Sequence, residues 1–263
     1  KPLLLKGHTR PLTKVCYNRE GDLLFSCAKD GKPTAWYVDN GERVGTFNGH
    51  DGAVWDCDVN FSSTRLLTGA ADQSARLWDV ESGKQLFTFK HKSGVRSVRF
   101  AHGERMCLTV QDNTFSSQPS IFIHNLQDDL ATQTDDPVRT LIPGSDKPGD
   151  KGDKSKINTA LWGALNHTII SCDDDGVVRQ WDVEHSKQTR QAQEHKKAIA
   201  SMQFSKDQTM FITASHDHTA KLWDTKTLKV LKTYTSDRPI NAAAISPIKE
   251  HVIIGGGQEA MNV

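Results

Sequence analysis

The chain has 263 residues, with 33 Lys and Arg against 32 Asp and Glu, and a formal net charge of +1. This balance excludes the strong basic excess typical of proteins that hold nucleic acid through their overall field, although a local contact to mRNA stays open. No apolar run approaches the roughly 18 residues of a membrane helix, so we expect no membrane association. The five cysteines have no CxxC spacing, which favours packed thiols in a reducing, cytoplasmic setting over a metal or redox site.

A four-residue pattern recurs along the chain at fixed offsets. A histidine is followed by Ser or Thr after 18 residues, by Asp after 22 and by Trp after 28. The complete sets are His8, Ser26, Asp30 and Trp36; His50, Thr68, Asp72 and Trp78; and His195, Thr213, Asp217 and Trp223. A repeat of about 42 residues is typical of a WD40 blade, so the sequence predicts an all-β propeller.

Each repeat also contains four short runs of strand-forming residues separated by turn residues. In the first repeat these runs are residues 12–17, 23–26, 34–37 and 43–47. Continued along the chain, the pattern predicts about five complete blades and part of a sixth. Residues 3–5 would be the outer strand of a further blade, so we expect residues 1–263 to be one propeller domain truncated at the C-terminus.

The third and fourth repeats depart from this pattern. The third begins at His91 and keeps the hydroxyl as Thr109, but Asn113 replaces the aspartate and His124 stands near the tryptophan position. The fourth has Asp153 at the histidine position and keeps the other three positions, as Ser171, Asp175 and Trp181. We expect these two blades to be less stable than the others, because their polar networks are incomplete.

A polar segment separates these two repeats. Residues 127–156 are rich in Gly, Pro, Asp and Lys, and they account for some 20 residues beyond the usual repeat length. Such a composition buries little apolar surface, so we expect a mobile insertion.

The recurring side chains could also suggest catalysis, since a hydroxyl, a histidine and a carboxylate are the parts of a nucleophilic triad. A triad occurs once in a protein, whereas this set recurs, so we interpret it as a hydrogen-bond network that fixes each blade. The acidic turn at residues 173–176 lacks the spacing of a calcium loop, and the glycines at residues 255–257 lack the Lys and Ser/Thr of a phosphate loop. We therefore expect no catalytic, cofactor or metal site, and interpret the chain as a rigid binding platform.

Several stretches go beyond general WD40 features and closely resemble the family of subunit i of eukaryotic translation initiation factor 3. They are residues 2–8, 17–25, 40–46, 210–215, 237–241 and 255–261. The last, GGGQEAM, is the most specific because blade turns rarely have this sequence.

This resemblance implies a seven-bladed scaffold without chemistry of its own, which supports assembly of the pre-initiation complex on the small ribosomal subunit. It also implies binding to a C-terminal helix of subunit b and contact with subunit g. Carried over by position, Asp207 and Asp224 would present carboxylates to basic residues of that helix. The alternative is that Asp207 is an ordinary turn residue and Asp224 the usual aspartate after the blade tryptophan. For the whole chain, a WD40 signalling adaptor associated with a receptor kinase is the second hypothesis, and an enzyme with a site on its loops is a distant third.

Overall fold

The computed structural model describes residues 3–115, 117–144, 154–248 and 251–257. The chain divides into two compact units, residues 1–140 and 141–263. Regular structure in the described residues consists of β-strands and two single-turn 3₁₀ helices, at Leu130–Thr132 and Ala164–Asn166. In the described residues, five antiparallel sheets have four strands each, and the fold is the bladed, all-β propeller class that the repeat predicts.

The first unit contains blades one to three, each formed by consecutive strands. Blade one has β1 Leu12–Tyr17, β2 Leu23–Ala28, β3 Thr34–Tyr37 and β4 Arg43–Thr46. Blade two has β5 Val54–Val59, β6 Arg65–Ala70, β7 Ser74–Asp79 and β8 Gln85–Lys90. Blade three has β9 Val95–Phe100, β10 Met106–Gln111, β11 Ser120–Asn125 and β12 Arg139–Leu141.

The second unit contains blades four and five and a two-stranded sheet, here called blade six. Blade four has β13 Ile157–Trp162, β14 Thr168–Asp173, β15 Val177–Asp182 and β16 Lys187–Gln193. Blade five has β17 Ile199–Phe204, β18 Met210–Ser215, β19 Thr219–Asp224 and β20 Val230–Thr235. Blade six has β21 Ile240–Ile245 and β22 Val252–Gly256.

The turn between the second and third strands has the same unusual backbone in four blades. One residue after the repeat aspartate position, φ is positive at Gly31 (78°), Gln73 (64°), Gly176 (80°) and His218 (70°). At Gly31, an added Cβ would also lie 3.0 Å from the Gly52 carbonyl oxygen of the next blade. Glycine is therefore favoured at position 31 for two reasons: it adopts the left-handed conformation without strain, and it lacks the Cβ that would hinder the close approach of blades one and two.

The cores lie between successive blades. Phe25 and Phe47 of blade one pack with Val54, Cys57 and Trp78 of blade two in one buried cluster. In the second unit, Trp223 of blade five packs with apolar residues of blade four in a corresponding cluster. Central strands such as β6 bury side chains on both faces of their sheet, and this is why β6 is almost entirely apolar or small.

Two of the cysteine thiols are packed inside these cores. Cys27 and Cys172 have no exposed surface. Burial raises the pKa of both thiols above the ordinary value, so they stay protonated and unreactive.

The polar segment at residues 127–156 differs from the insertion that we expected. It contains the 3₁₀ turn at Leu130–Thr132 and the fourth strand of blade three, β12. Leu141 at the end of β12 is fully buried, and Leu130 packs against the core between blades two and three. The strand forms because pairing with β11 satisfies its backbone in a segment whose composition alone favours a loop. Residues 145–153 lie outside the described residues.

Residues 3–8 belong to no sheet. Within the described segments, no helix has the length and apolar character needed to cross a membrane.

Candidate functional site

The His50 network of blade two links four side chains in a row. His50 Nδ1 lies 2.8 Å from Asp72 Oδ2, and His50 Nε2 lies 2.7 Å from Thr68 Oγ1. The indole N–H of Trp78 donates to the same Thr68 oxygen over 2.8 Å. Asp72 also accepts from the backbone N–H of Asp51 and from Ser74, and these bonds help hold the pKa of Asp72 well below its ordinary value, against the effect of burial.

These contacts leave no member of the row without a hydrogen-bond partner. Asp72 is ionised and can only accept, so His50 donates from Nδ1. His50 Nε2 and the Thr68 hydroxyl are bonded to each other, and the Thr68 oxygen accepts from Trp78. Every member of the row therefore has a partner, and this favours a structural role.

Blades one and five contain the same row. In blade one, His8 lies 2.9 Å from Asp30 and 2.7 Å from Ser26, and Trp36 donates to Ser26 over 2.8 Å. In blade five the corresponding distances, between His195, Asp217, Thr213 and Trp223, are 2.9, 2.7 and 2.8 Å. The structure thus forms each of the three tetrads that the sequence predicts, one in each of blades one, two and five.

Blade three replaces the row with a partial one. His124 stands in the place of the tryptophan, paired across the sheet with Cys107, and its Nε2 lies 3.3 Å from Thr109 Oγ1. In the complete blades the aspartate accepts from the backbone N–H that follows the histidine. In blade three Gln111 does this, accepting from the Lys92 N–H over 2.9 Å, whereas the spacing predicts Asn113. His91 Nε2 and His124 Nδ1 are buried and have no hydrogen-bond partner among the described residues.

Blade four places a different carboxylate in its interior. Trp181 donates to Ser171 over 2.8 Å, as in the complete blades, but Asp175 is exposed. The buried carboxylate is Asp173, which forms an ion pair with buried Arg179. The prediction that Asp175 acts as the repeat aspartate is therefore wrong. Asp173 is the buried carboxylate because the charge of Arg179 lies beside it and compensates its charge. Asp153, which the spacing places at the histidine position, lies outside the described residues.

The structure places Asp207 in the turn between β17 and β18. The Ser205 hydroxyl donates to its Oδ1 over 2.6 Å and the Thr209 hydroxyl to its Oδ2 over 2.8 Å. These bonds hold the pKa of Asp207 below its ordinary value, so the exposed carboxylate is charged at neutral pH.

Asp224 ends β19 at the same end of blade five. The hydroxyl and backbone N–H of Thr227 both donate to its Oδ1, over 2.6 and 2.7 Å, and lower its pKa. The backbone N–H of Thr225 donates to the Thr209 carbonyl over 2.9 Å, which joins the two aspartate-bearing turns.

The turn at Asp224 has counterparts in other blades. Asp79 of blade two accepts from the backbone and hydroxyl of Ser82, and Asp182 of blade four accepts from His185. The turn geometry at Asp224 and the backbone bond that joins it to the preceding turn are thus shared by several blades. What distinguishes blade five is that Asp207 and Asp224 stand together on the two joined turns.

One further polar network, around Asp56, involves none of the repeat positions. On β5, Asp56 accepts from the Ser97 hydroxyl over 2.9 Å and from the Val98 N–H over 3.1 Å, and forms an ion pair with Arg99. Burial raises the pKa of neighbouring Asp58 to about 6. The sequence signal was the alternation of Asp with apolar residues along β5, which places both carboxylates on one face of the strand. Among the described residues, no group of three or more His, Cys, Asp or Glu side chains is arranged to hold a metal ion.

Comparisons with known proteins assign this arrangement to a family. A family model described as EIF3I matches residues 1–263. The chain is similar to eukaryotic translation initiation factor 3 subunit I of Nematostella vectensis, with 46% identity over 263 residues, which cover 100% of this chain and 78% of the relative. It is 45% identical over 264 residues to the Culex quinquefasciatus protein of the same name, covering 100% and 79%. The Taeniopygia guttata protein of that name is 46% identical over 263 residues, covering 100% and 78%. The chain belongs to the family of subunit i of eukaryotic translation initiation factor 3.

Proposed function

We propose that this chain acts in translation initiation as a platform within initiation factor 3, binding subunit b through the carboxylate end of blade five. We define this surface by Asp207, Thr209, Asp224 and Thr227. Subunit g is a second proposed partner, and the assembled complex would act on the small ribosomal subunit. Family membership supports the complex, and the joined carboxylate turns support the surface.

The geometry of the surface suits a basic helix. Two ionised carboxylates sit on turns that the Thr225–Thr209 backbone bond holds in register. The side chain of Asp224 is partly exposed, so its carboxylate can accept from an arginine or lysine of a partner. Fixed acceptors of this kind orient a cationic partner and speed its encounter.

The same geometry argues against chemistry at these residues. Asp207 and Asp224 are both held below their ordinary pKa by donated hydrogen bonds, whereas a general acid or base needs a pKa near the working pH. The His–Asp rows are each closed by hydroxyl and indole partners. A binding role therefore accounts for both groups of residues without invoking a substrate.

Charge reversal at this surface tests the proposal. We expect Asp207→Lys combined with Asp224→Lys to weaken binding to purified subunit b by at least about tenfold, measured by calorimetry, because attraction becomes repulsion. The matched control is Asp79→Lys, which removes the same kind of turn bonds in blade two. We expect that control to keep full affinity.

Thermal melting of each variant separates binding from folding. A correctly folded double variant that binds subunit b with unchanged affinity would rule out this surface. Equal losses in the double variant and in Asp79→Lys would show that turn disruption, not the blade five carboxylates, weakens binding.

A further inference from the structure

A second surface, in the first unit, is distinguished by its tryptophan. The chain has six tryptophans. Trp36, Trp78, Trp162, Trp181 and Trp223 are buried, whereas Trp55 is partly exposed. A large aromatic side chain held at the surface of a folded blade is the residue type most enriched in binding hot spots.

Trp55 also differs in its hydrogen bonding. In blades one, two, four and five the repeat tryptophan N–H donates to a Ser or Thr hydroxyl of its own blade over 2.8 Å. The indole N–H of Trp55 has no acceptor among the described residues. This donor is available to a carbonyl or carboxylate from outside the chain.

Cations from the neighbouring blades surround this side chain. Lys29 Nζ of blade one lies 5.9 Å from the ring centroid, and Arg96 Cζ of blade three lies 5.1 Å from it. Lys29 also lines a cleft between blades one and two together with Arg10 and Lys32. We call Arg10, Lys29, Lys32, Trp55 and Arg96 the Trp55 surface.

The charges of this surface are mostly uncompensated. Arg96 pairs with Asp112 over 2.8 Å. Arg10, Lys29 and Lys32 are exposed and form no ion pair within the residues that the structure covers. Two carboxylates line the cleft. Asp30 is hydrogen-bonded to His8, so exposed Asp51 is the carboxylate of this lining that remains to balance the three cations.

We propose that the Trp55 surface binds an acidic, extended peptide segment of a protein partner. Its carboxylates would pair with Lys29, Lys32 and Arg10, and one of its carbonyls would accept from the Trp55 indole. RNA fits less well, because two cations already lie over the ring face that a stacked base would need and the chain has a net charge of only +1. This surface lies in the first unit and does not depend on the role proposed for blade five.

A ligand on this surface changes the surroundings of Trp55, which is partly exposed, and therefore shifts its fluorescence emission, whereas the other tryptophans are buried. The full chain is titrated with a short synthetic peptide of alternating Glu and Leu at low salt, and separately with oligouridine. We expect the peptide to shift the emission, and Lys29→Glu to weaken its binding by about tenfold or more. Lys84→Glu, at an exposed position in blade two, is the charge-matched control and should bind like the unmodified chain.

A second variant tests the indole separately. Trp55→Phe keeps an aromatic ring but removes the N–H, and we expect weaker peptide binding by calorimetry with unchanged melting temperature. The proposal is overturned if the peptide does not bind, or if Lys29→Glu and Lys84→Glu reduce its affinity equally. It is also overturned if oligouridine binds more tightly than the peptide and is lost in Lys29→Glu.

Discussion

Blades two and three lie side by side in the first unit and have the same strand order, yet they treat their buried polar groups differently. In blade two, Thr68 is bonded to both His50 and Trp78. In blade three, Thr109 has a single longer contact to His124, and His91 does not join the row. The sheet forms in both cases, so apolar burial and strand pairing determine the blade, while the His–Asp row adds stability to a sheet that can form without it.

The largest difference is expected from removing the aspartates. Asp72→Ala leaves the His50 Nδ1–H, the Asp51 N–H and the Ser74 hydroxyl without their acceptor, and should lower the free energy of unfolding by about 3 kcal/mol. Asp112→Ala removes a more exposed ion pair with Arg96 and should lower it by roughly 1 kcal/mol or less. Urea unfolding of both variants measures the two values, and equal losses would contradict the assigned repeat register.

A matched pair of isosteric substitutions sharpens the comparison. Thr68→Val strands the Trp78 N–H and His50 Nε2 together, with an expected loss of about 2–4 kcal/mol. Thr109→Val breaks only the 3.3 Å contact to His124 and should cost about 1 kcal/mol. Both threonines are fully buried, so the two substitutions change the hydration of the side chain by the same amount. A larger loss of stability for Thr109→Val than for Thr68→Val would overturn the view that blade three lacks a closed row.

Acid should act on blade three through its histidines. Burial lowers the pKa of His91 to about 3 and that of His124 to about 4. An unfolded chain takes up protons at these residues below about pH 6.5, whereas the folded chain does not, so stability falls as pH decreases from about 6.5 towards 4. His91→Leu removes one such group, and we expect its loss of stability between pH 7 and pH 5 to be about 2 kcal/mol smaller than that of the unmodified chain. An unchanged pH dependence would show that His91 is not buried as a neutral group.

The smallest effect is expected in the polar segment. We expect replacement of residues 145–153 by a Gly-Ser linker to leave the melting temperature unchanged, because loop length adds little closure entropy. Leu141→Ala, in the strand that precedes it, should instead lower stability by about 2–5 kcal/mol because Leu141 is fully buried. A large loss from the linker replacement would mean that this part of the segment packs on a blade.

The sequence was most informative where local pattern and burial agree. The positions of β5 to β8 and of β17 to β20 follow from the offsets around Trp78 and Trp223, since each strand is short, apolar and bounded by turn residues. β12 could not be predicted, because three residues in a polar segment become a strand only when β11 is there to pair with them. The spacing favoured Asp175, but the position of Arg179 determines that Asp173 is the buried carboxylate.

The candidate surfaces were accessible to sequence reasoning to different degrees. Asp207 and Asp224 were found through the family resemblance. The bond from the Thr225 N–H to the Thr209 carbonyl that joins their turns recurs at the same offset in blades one, two and four, so the repeat contains the junction but not the pair of carboxylates. The Trp55 surface was missed because Lys29, Trp55 and Arg96 come from three different repeats and meet only in the folded unit.

The most direct test of the proposed function is hydrogen–deuterium exchange of the full chain with and without purified subunit b. We predict that binding slows exchange in the two aspartate-bearing turns of blade five, residues 205–209 and 224–229, while the matching turn of blade two, residues 79–84, is unaffected. Protection confined to blades one to three, with unchanged exchange in both blade five turns, would contradict the assignment of subunit b to this surface.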